Sequence, residues 1–352
     1  MQLMLKLSDT MNQLTSWLKA KPKTALGIGL GVLLIALVIL LPALRQSKPS
    51  QQGLLPPPSY NPIYQFSRPG QNQLQAPPPS DQTSIAVYQH SASSLDLQNF
   101  FNPMAQSLNF IEPPQEMVFN SVPHLVWKKG TSTLSLNLQT GQFYIKVSAS
   151  EFSDSTQVIE PDALTIAKTW LADHRLMDQD TPHQTSYYQS HEGQLEPVAD
   201  PALADTYQFS FFPTLNRLPL FSTNLDNAPI AISVTSAGNI FIVDYQLPAL
   251  LYSTYLTNPG ELKTTTYPLK TADQVSQDIQ AGLPTVTLLK TGPRAYPTTA
   301  TKVTSADYQH LNLGYQAQAN QGMLLPVFQL TGTAQLETGN TAEITAYLPA
   351  TP

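Results

Sequence analysis

The chain has 352 residues, with 18 basic and 24 acidic side chains, 31 prolines and no cysteine. A chain without cysteine has no disulfide framework, thiolate metal site, iron–sulfur ligand or thiol nucleophile. Residues 1–84 carry seven basic and two acidic groups, which leaves 11 and 22 for residues 85–352, and so acidic a C-terminal part is ill suited to the cationic phosphate contacts of nucleic-acid binding.

In residues 1–24, Met4, Leu7, Met11, Leu14 and Leu18 recur at helical spacing, which predicts a short amphipathic segment on the cytoplasmic membrane face. Ala25 to Leu44 follows, twenty residues with neither a charge nor a polar side chain. As a helix it spans about 30 Å, the thickness of the hydrocarbon layer, and the spacing predicts a transmembrane anchor. The run ends in Pro42-Ala43-Leu44-Arg45 with no small-x-small cleavage site, so the anchor is expected to stay attached. Lys6, Lys19, Lys21 and Lys23 precede it and only Arg45 and Lys48 closely follow, which predicts a cytoplasmic N-terminus and an extracytoplasmic C-terminal part. Gly27 and Gly31 form a GxxxG pair, a weak dimerisation contact between such helices.

Residues 45–84 read as a disordered linker, with nine prolines between Gln46 and Thr83 among Gln, Ser and Asn. Three α+β modules are then expected, at 85–150, 151–255 and 256–352, each with a helix packed on an antiparallel sheet. In the first, Ile85–Tyr88 reads as a strand and Ser93-x-x-Asp96 as a capping box opening a helix that carries Leu97, Phe100, Phe101, Met104 and Leu108 on one face. Pro103 is expected to kink that helix or to delay its start to Asn102. Leu134–Leu138 and Phe143–Val147 alternate as a hairpin around Gln139–Gln142.

In the second module Pro161 opens a helix; in the third, Thr271-x-x-Gln274 opens one that Gly282 closes. The two look like divergent copies. Tyr207-Gln-Phe209 and Leu218-Pro219-Leu220-Phe221 match Tyr315-Gln-Ala317 and Leu325-Pro326-Val327-Phe328, and Tyr245-Gln-Leu-Pro248-Ala249 matches Tyr347-Leu-Pro349-Ala350. Ile230–Val234 and Ile240–Asp244 form a hairpin around Ala237-Gly238-Asn239. A helix, then Tyr-x-Phe, an LPLF or LPVF strand and a Gly-Asn hairpin resembles the PepSY-like modules of the YycH/YycI type, or a related family of single-pass bacterial surface proteins. The resemblance covers residues 160–350 best. It implies an N-in, single-pass protein whose exported modules regulate a sensor kinase or an envelope process without catalysis.

Catalytic motifs are sparse. His191-Glu192 has Leu195 where a zinc-protease helix needs its second His. His174, His183 and His191 with Asp173, Asp178 and Asp180 lie at intervals unsuited to zinc, and the stretch reads as a solvated loop. No metal or cofactor site is expected. Tyr207, Pro219, Phe221, Tyr315, Pro326 and Phe328 are the candidate partner-contact or structural positions, read first as strand core and edge. Two functions remain: a non-catalytic, membrane-tethered binding or regulatory module with an envelope protein as partner, or a wall-modifying enzyme with an acidic pair among Asp205, Asp226 and Asp244.

Overall fold

The computed structural model describes residues 65–66, 70–75, 82–90, 93–148, 157–191, 194–222, 228–291, 294–295, 301–318 and 322–352, all within one unit, Pro58–Pro352. The expected cytoplasmic segment, the anchor Ala25–Leu44 with Gly27 and Gly31, and the start of the linker lie outside the described residues. Among the described residues, no helix is long and apolar enough to cross a membrane.

Strands β1 (Gln65–Phe66), β2 (Gln73–Leu74) and β3 (Ser84–Gln89) precede helix α1 (Ser94–Ser107). Strands β4 (Gln115–Phe119), β5 (Val122–Lys129), β6 (Ser132–Asn137) and β7 (Phe143–Lys146) follow it. Helix α2 (Glu160–Asp173) leads into β8 (His183–His191), β9 (Gln194–Pro197), β10 (Thr206–Phe211), β11 (Thr214–Leu215), β12 (Leu218–Phe221), β13 (Ile230–Thr235) and β14 (Ile240–Tyr245). Helix α3 (Ala249–Thr257), β15 (Lys263–Pro268) and helix α4 (Ala272–Gln280) come next, and β16 (Thr285–Thr291), β17 (Arg294–Ala295), β18 (Lys302–Gln318), β19 (Met323–Leu336) and β20 (Thr341–Pro349) complete the chain.

Among the described residues the architecture is α+β, with two large sheets and four α-helices. A nine-stranded sheet runs β4-β5-β6-β7-β14-β13-β10-β8-β9. An eleven-stranded sheet runs β11-β12-β18-β19-β20-β16-β17, with β1 and β2 added along β18 and β3–β15 added at the start of β19. Strand pairing crosses the boundaries drawn at 150/151 and 255/256. Strand β7 pairs with β14 inside the first sheet, and β3 pairs with β15 through all six of its residues.

Local signals explain the helices. Ser93 and Asp96 form a reciprocal capping box on α1, as Thr271 and Gln274 do on α4. Helix α1 begins at Ser94 and continues past Pro103, so the later start at Asn102 is not what forms. An interior proline costs about 3 kcal/mol or more, which burial of Leu97, Phe101 and Met104, each worth about 1.5–3 kcal/mol, offsets. Three helices end in the same way. Asn109, Arg175 and Gly282 take positive φ, and Phe110, Leu176 and Leu283 then donate back to Ala105, Leu171 and Asp278, the pattern of a Schellman motif.

The apolar core is continuous from Ile85 to Ala350. Phe101 of α1 meets Phe143 edge-on at 4.9 Å, and Phe143 stacks on Tyr245 at 4.8 Å. The Tyr245 hydroxyl donates to the Leu176 carbonyl at 2.9 Å, tying the sheet to the turn after α2. Ala163, Ala167 and Leu171 lay α2 against β13 and β10.

Part of the span expected to be a disordered linker is structured. Gln65 and Phe66 run parallel to Lys302 and Val303, and Gln73 and Leu74 parallel to Asp307 and Tyr308. Asn72, 3% exposed, anchors this strap: its Nδ2 donates to the Ile279 carbonyl at 3.2 Å and its Oδ1 accepts from the Ala306 amide at 3.0 Å. Short proline-rich segments can add to an open strand edge because the host strand supplies the hydrogen bonds that composition alone does not foresee.

Candidate functional site

The matched motifs do not occupy equivalent places. Tyr207 lies on β10, where its ring meets Tyr187 edge-on at 6.4 Å. The strand with Pro219 and Phe221 leaves that sheet and pairs parallel to β18 in the other, so that Leu220 and Phe221 sit beside Tyr315 and Gln316. Pro326 faces Tyr315 across the β18–β19 pair, and Phe328 faces Leu313. Five of the six candidate residues thus meet in the eleven-stranded sheet, while Tyr207 stands apart. Phe221 packs on Tyr347 at 5.6 Å, and Tyr315, Pro326 and Phe328 are buried. The strand orders also differ: β8-β10-β13-β14 after α2, but β16-β20-β19-β18 after α4. Pro248, matched in sequence to Pro349 at the end of β20, instead caps helix α3.

The His/Asp stretch, expected to be a loop, is only partly one. His174 caps α2, while His183 and His191 stand at opposite ends of β8, about 27 Å apart at strand rise. Asp178 and Asp180 remain in the connecting loop. The proposed acidic pair is also separated. Asp244 faces Ala231, which faces Ser210 on its other side; Asp205 lies five residues before Ser210. That places the two about 17 Å apart along the strand, beyond the ~9.5 Å of an inverting glycosidase pair. Asp226 lies outside the described residues.

Ser107 and His174 form a contact that resembles a nucleophile and its base, at 3.2 Å, with His174 Nδ1 2.7 Å from the Trp170 carbonyl. The Ser107 hydroxyl, however, donates to the Met104 carbonyl at 2.8 Å, and the amides of Leu108, Asn109 and Phe110 are taken up by the α1 terminus. The backbone amides of this turn are thus engaged within the helix end.

A cleft of about 430 Å³ has the chemistry of a binding site. Three elements build it. The Schellman turn after α2 buries Leu176 and sends Asp178, Asp180, Thr181 and Pro182 along one wall. The β11–β12 turn supplies Asn216 and Arg217, and α3 supplies Tyr255 and Leu256. Asn216 is fixed from three directions: its Nδ2 donates to the Tyr88 hydroxyl, its amide donates to the Tyr255 hydroxyl at 3.0 Å, and its Oδ1 accepts from that hydroxyl at 3.1 Å. Beneath it Tyr88 meets Tyr255 at 6.1 Å and Tyr315 at 5.7 Å, both edge-on, and Tyr252 stacks on Tyr255 at 6.2 Å. Burial, reinforced by the Asp178 carboxylate, pushes the Tyr252 phenol far above its ordinary range, so it stays a neutral donor. Burial likewise raises Tyr88.

The sequence reading missed this cleft. Its signals were Asn216-Arg217 between Leu215 and Leu218-Pro219, which reads as a tight hairpin turn, and Pro248 before an apolar run, which reads as a helix start.

No protein-family model and no curated protein matches the chain. Among solved structures, an uncharacterised protein from Eubacterium rectale ATCC 33656 is similar at 13% identity and a TM-score of 0.39, over 77% of this chain and 84% of that one.

Proposed function

We propose that this is a single-pass membrane protein whose extracytoplasmic part acts as a non-catalytic binding or regulatory module at the cell envelope, in the manner of the PepSY-like modules that its motifs resemble. The observation that carries the reading is the uncharged run Ala25–Leu44 with four lysines before it, followed by a large acidic α+β unit. An open sheet edge supports the binding role. Among the described residues strand β4 ends the nine-stranded sheet and pairs only with β5, and it exposes 68% of Val118 and 45% of Phe119. An unpaired edge with apolar side chains is suited to adding a partner's extended strand.

The absence of cysteine makes the topology directly testable. Ser8→Cys and Thr338→Cys, the latter exposed in the β19–β20 turn, are labelled in intact cells with a membrane-impermeant maleimide. Labelling of Thr338→Cys alone supports the reading; labelling of neither, or of Ser8→Cys alone, refutes it. Cross-linking in native cells then tests the binding role. A protein partner captured by the wild type and lost in Val118→Lys/Phe119→Lys is the expected result.

A further inference from the structure

We infer that the cleft between the α2–β8 loop, the β11–β12 turn and α3 binds a small zwitterionic ligand of the free amino-acid or short-peptide class. Its ammonium would lie toward Asp178 and Asp180 and its carboxylate toward Arg217. The inference rests on the binding role proposed above and gives it a ligand chemistry.

Three observations carry it. First, the cleft holds formal charges of both signs, and among the described residues Asp178, Asp180 and Arg217 form no ion pair and no side-chain hydrogen bond. An ion of one sign would leave one wall unanswered, whereas a dipolar ligand answers both. Second, Arg217 takes φ +66° at the second turn position, after Asn216 at φ +51°. Turns of this kind favour Asn followed by Gly, and a side chain there is strained. Strain of that sort is characteristic of ligand-binding turns. Third, the strained turn is held rigid, because Tyr88 and Tyr255 fix the Asn216 side chain. The half-buried Tyr255 also lines the cleft, and Thr181 and Thr214 offer hydroxyls to a peptide bond.

The test titrates the full chain in detergent micelles with dialanine, N-acetyl-dialanine and dialanine amide, followed by calorimetry. Saturable dialanine binding is expected at a Kd of about 1 mM or tighter. Each capped peptide should bind at least about tenfold more weakly, having lost one charged contact. Arg217→Gln should weaken dialanine to the level of its amide, and Asp178→Asn/Asp180→Asn to that of the acetylated peptide. Arg217→Gly, which relieves the turn, should lose the carboxylate preference while unfolding at the same or higher denaturant concentration. Absence of saturation, equal affinity for the capped peptides, or variants that bind like the wild type would overturn the inference. Those results leave the labelling and cross-linking outcomes untouched, so a wrong ligand class is separable from a wrong location.

Discussion

The hydroxyl of Tyr315 donates to the backbone carbonyl of Ala86 at 2.8 Å, joining residues 229 apart in the chain. Among the described residues, the backbone of β3 pairs with β19 at Met323 and Leu324, and the Tyr88 ring meets Tyr315 edge-on. Tyr315→Phe keeps the ring against Tyr88 and strips that carbonyl of its donor. A loss of about 1–2 kcal/mol is expected in urea unfolding, with faster amide exchange concentrated in β3 and β15.

Gly314 makes the passage of β12 beside β18 possible. A Cβ there would come within 2.5 Å of both the Phe221 ring and the Pro219 carbonyl. Gly314→Ala should therefore destabilise by about 1–3 kcal/mol, the range of overpacked cores. Loss of the Phe221 contact with Tyr347 is readable as altered near-ultraviolet dichroism.

Asn72 gives a test of the strap. Asn72→Ala takes the Oδ1 acceptor from the Ala306 amide and one donor from the Ile279 carbonyl, which keeps the Gly282 amide, at a cost of about 1–2 kcal/mol. Amide exchange in residues 302–308 should rise while β16 and β20 stay protected. Equal loosening of the whole sheet would show that Asn72 holds more than the strap.

Alkaline stability follows from the buried phenols. Burial raises the phenols of Tyr245, Tyr252, Tyr308 and Tyr315 above the ordinary tyrosine value of 10.0. Above pH 10 the unfolded chain loses these protons while the folded one keeps them, so stability present below that pH is lost as pH rises toward the folded values. Each tyrosine contributes a slope of at most about 1.4 kcal/mol per pH unit. Denaturation midpoints should be flat with respect to these groups from pH 8 to 9.5 and fall steeply beyond 10, with phenolate absorbance rising together with unfolding.

Local chemistry was legible in the sequence. The capping boxes at Ser93 and Thr271, the Gly282 terminus, the hairpin around Gly238 and the hairpin between β6 and β7 stand where they were read. Each depends on residues a few positions apart. Pairing over long distances was not legible, because alternation tells which face of a strand is buried and nothing about its neighbour. Leu218–Phe221 and Leu325–Phe328 look alike for that reason, yet one joins β18 in parallel and the other antiparallel. The cleft escaped notice on the same grounds: Asp178, Arg217 and Tyr255 line one cleft only after two sheets and a helix have closed around it.

The strap and β3 also fix the order in which the molecule can be completed. Residues 65–89 leave the ribosome early, but their partners, Lys263–Pro268, Val303, Tyr308 and Leu324, are made last. The nine-stranded sheet can close once Tyr245 has emerged, since all its strands are then present. The eleven-stranded sheet must wait until synthesis is nearly finished, with β1 and β2 unpaired for more than 200 residues. Such late, distant closure makes for slow folding and a long exposure of sticky edges. A chain cut short before Lys302 would therefore keep one finished sheet and the β3–β15 pair, and leave β1 and β2 without β18, the strand they pair with.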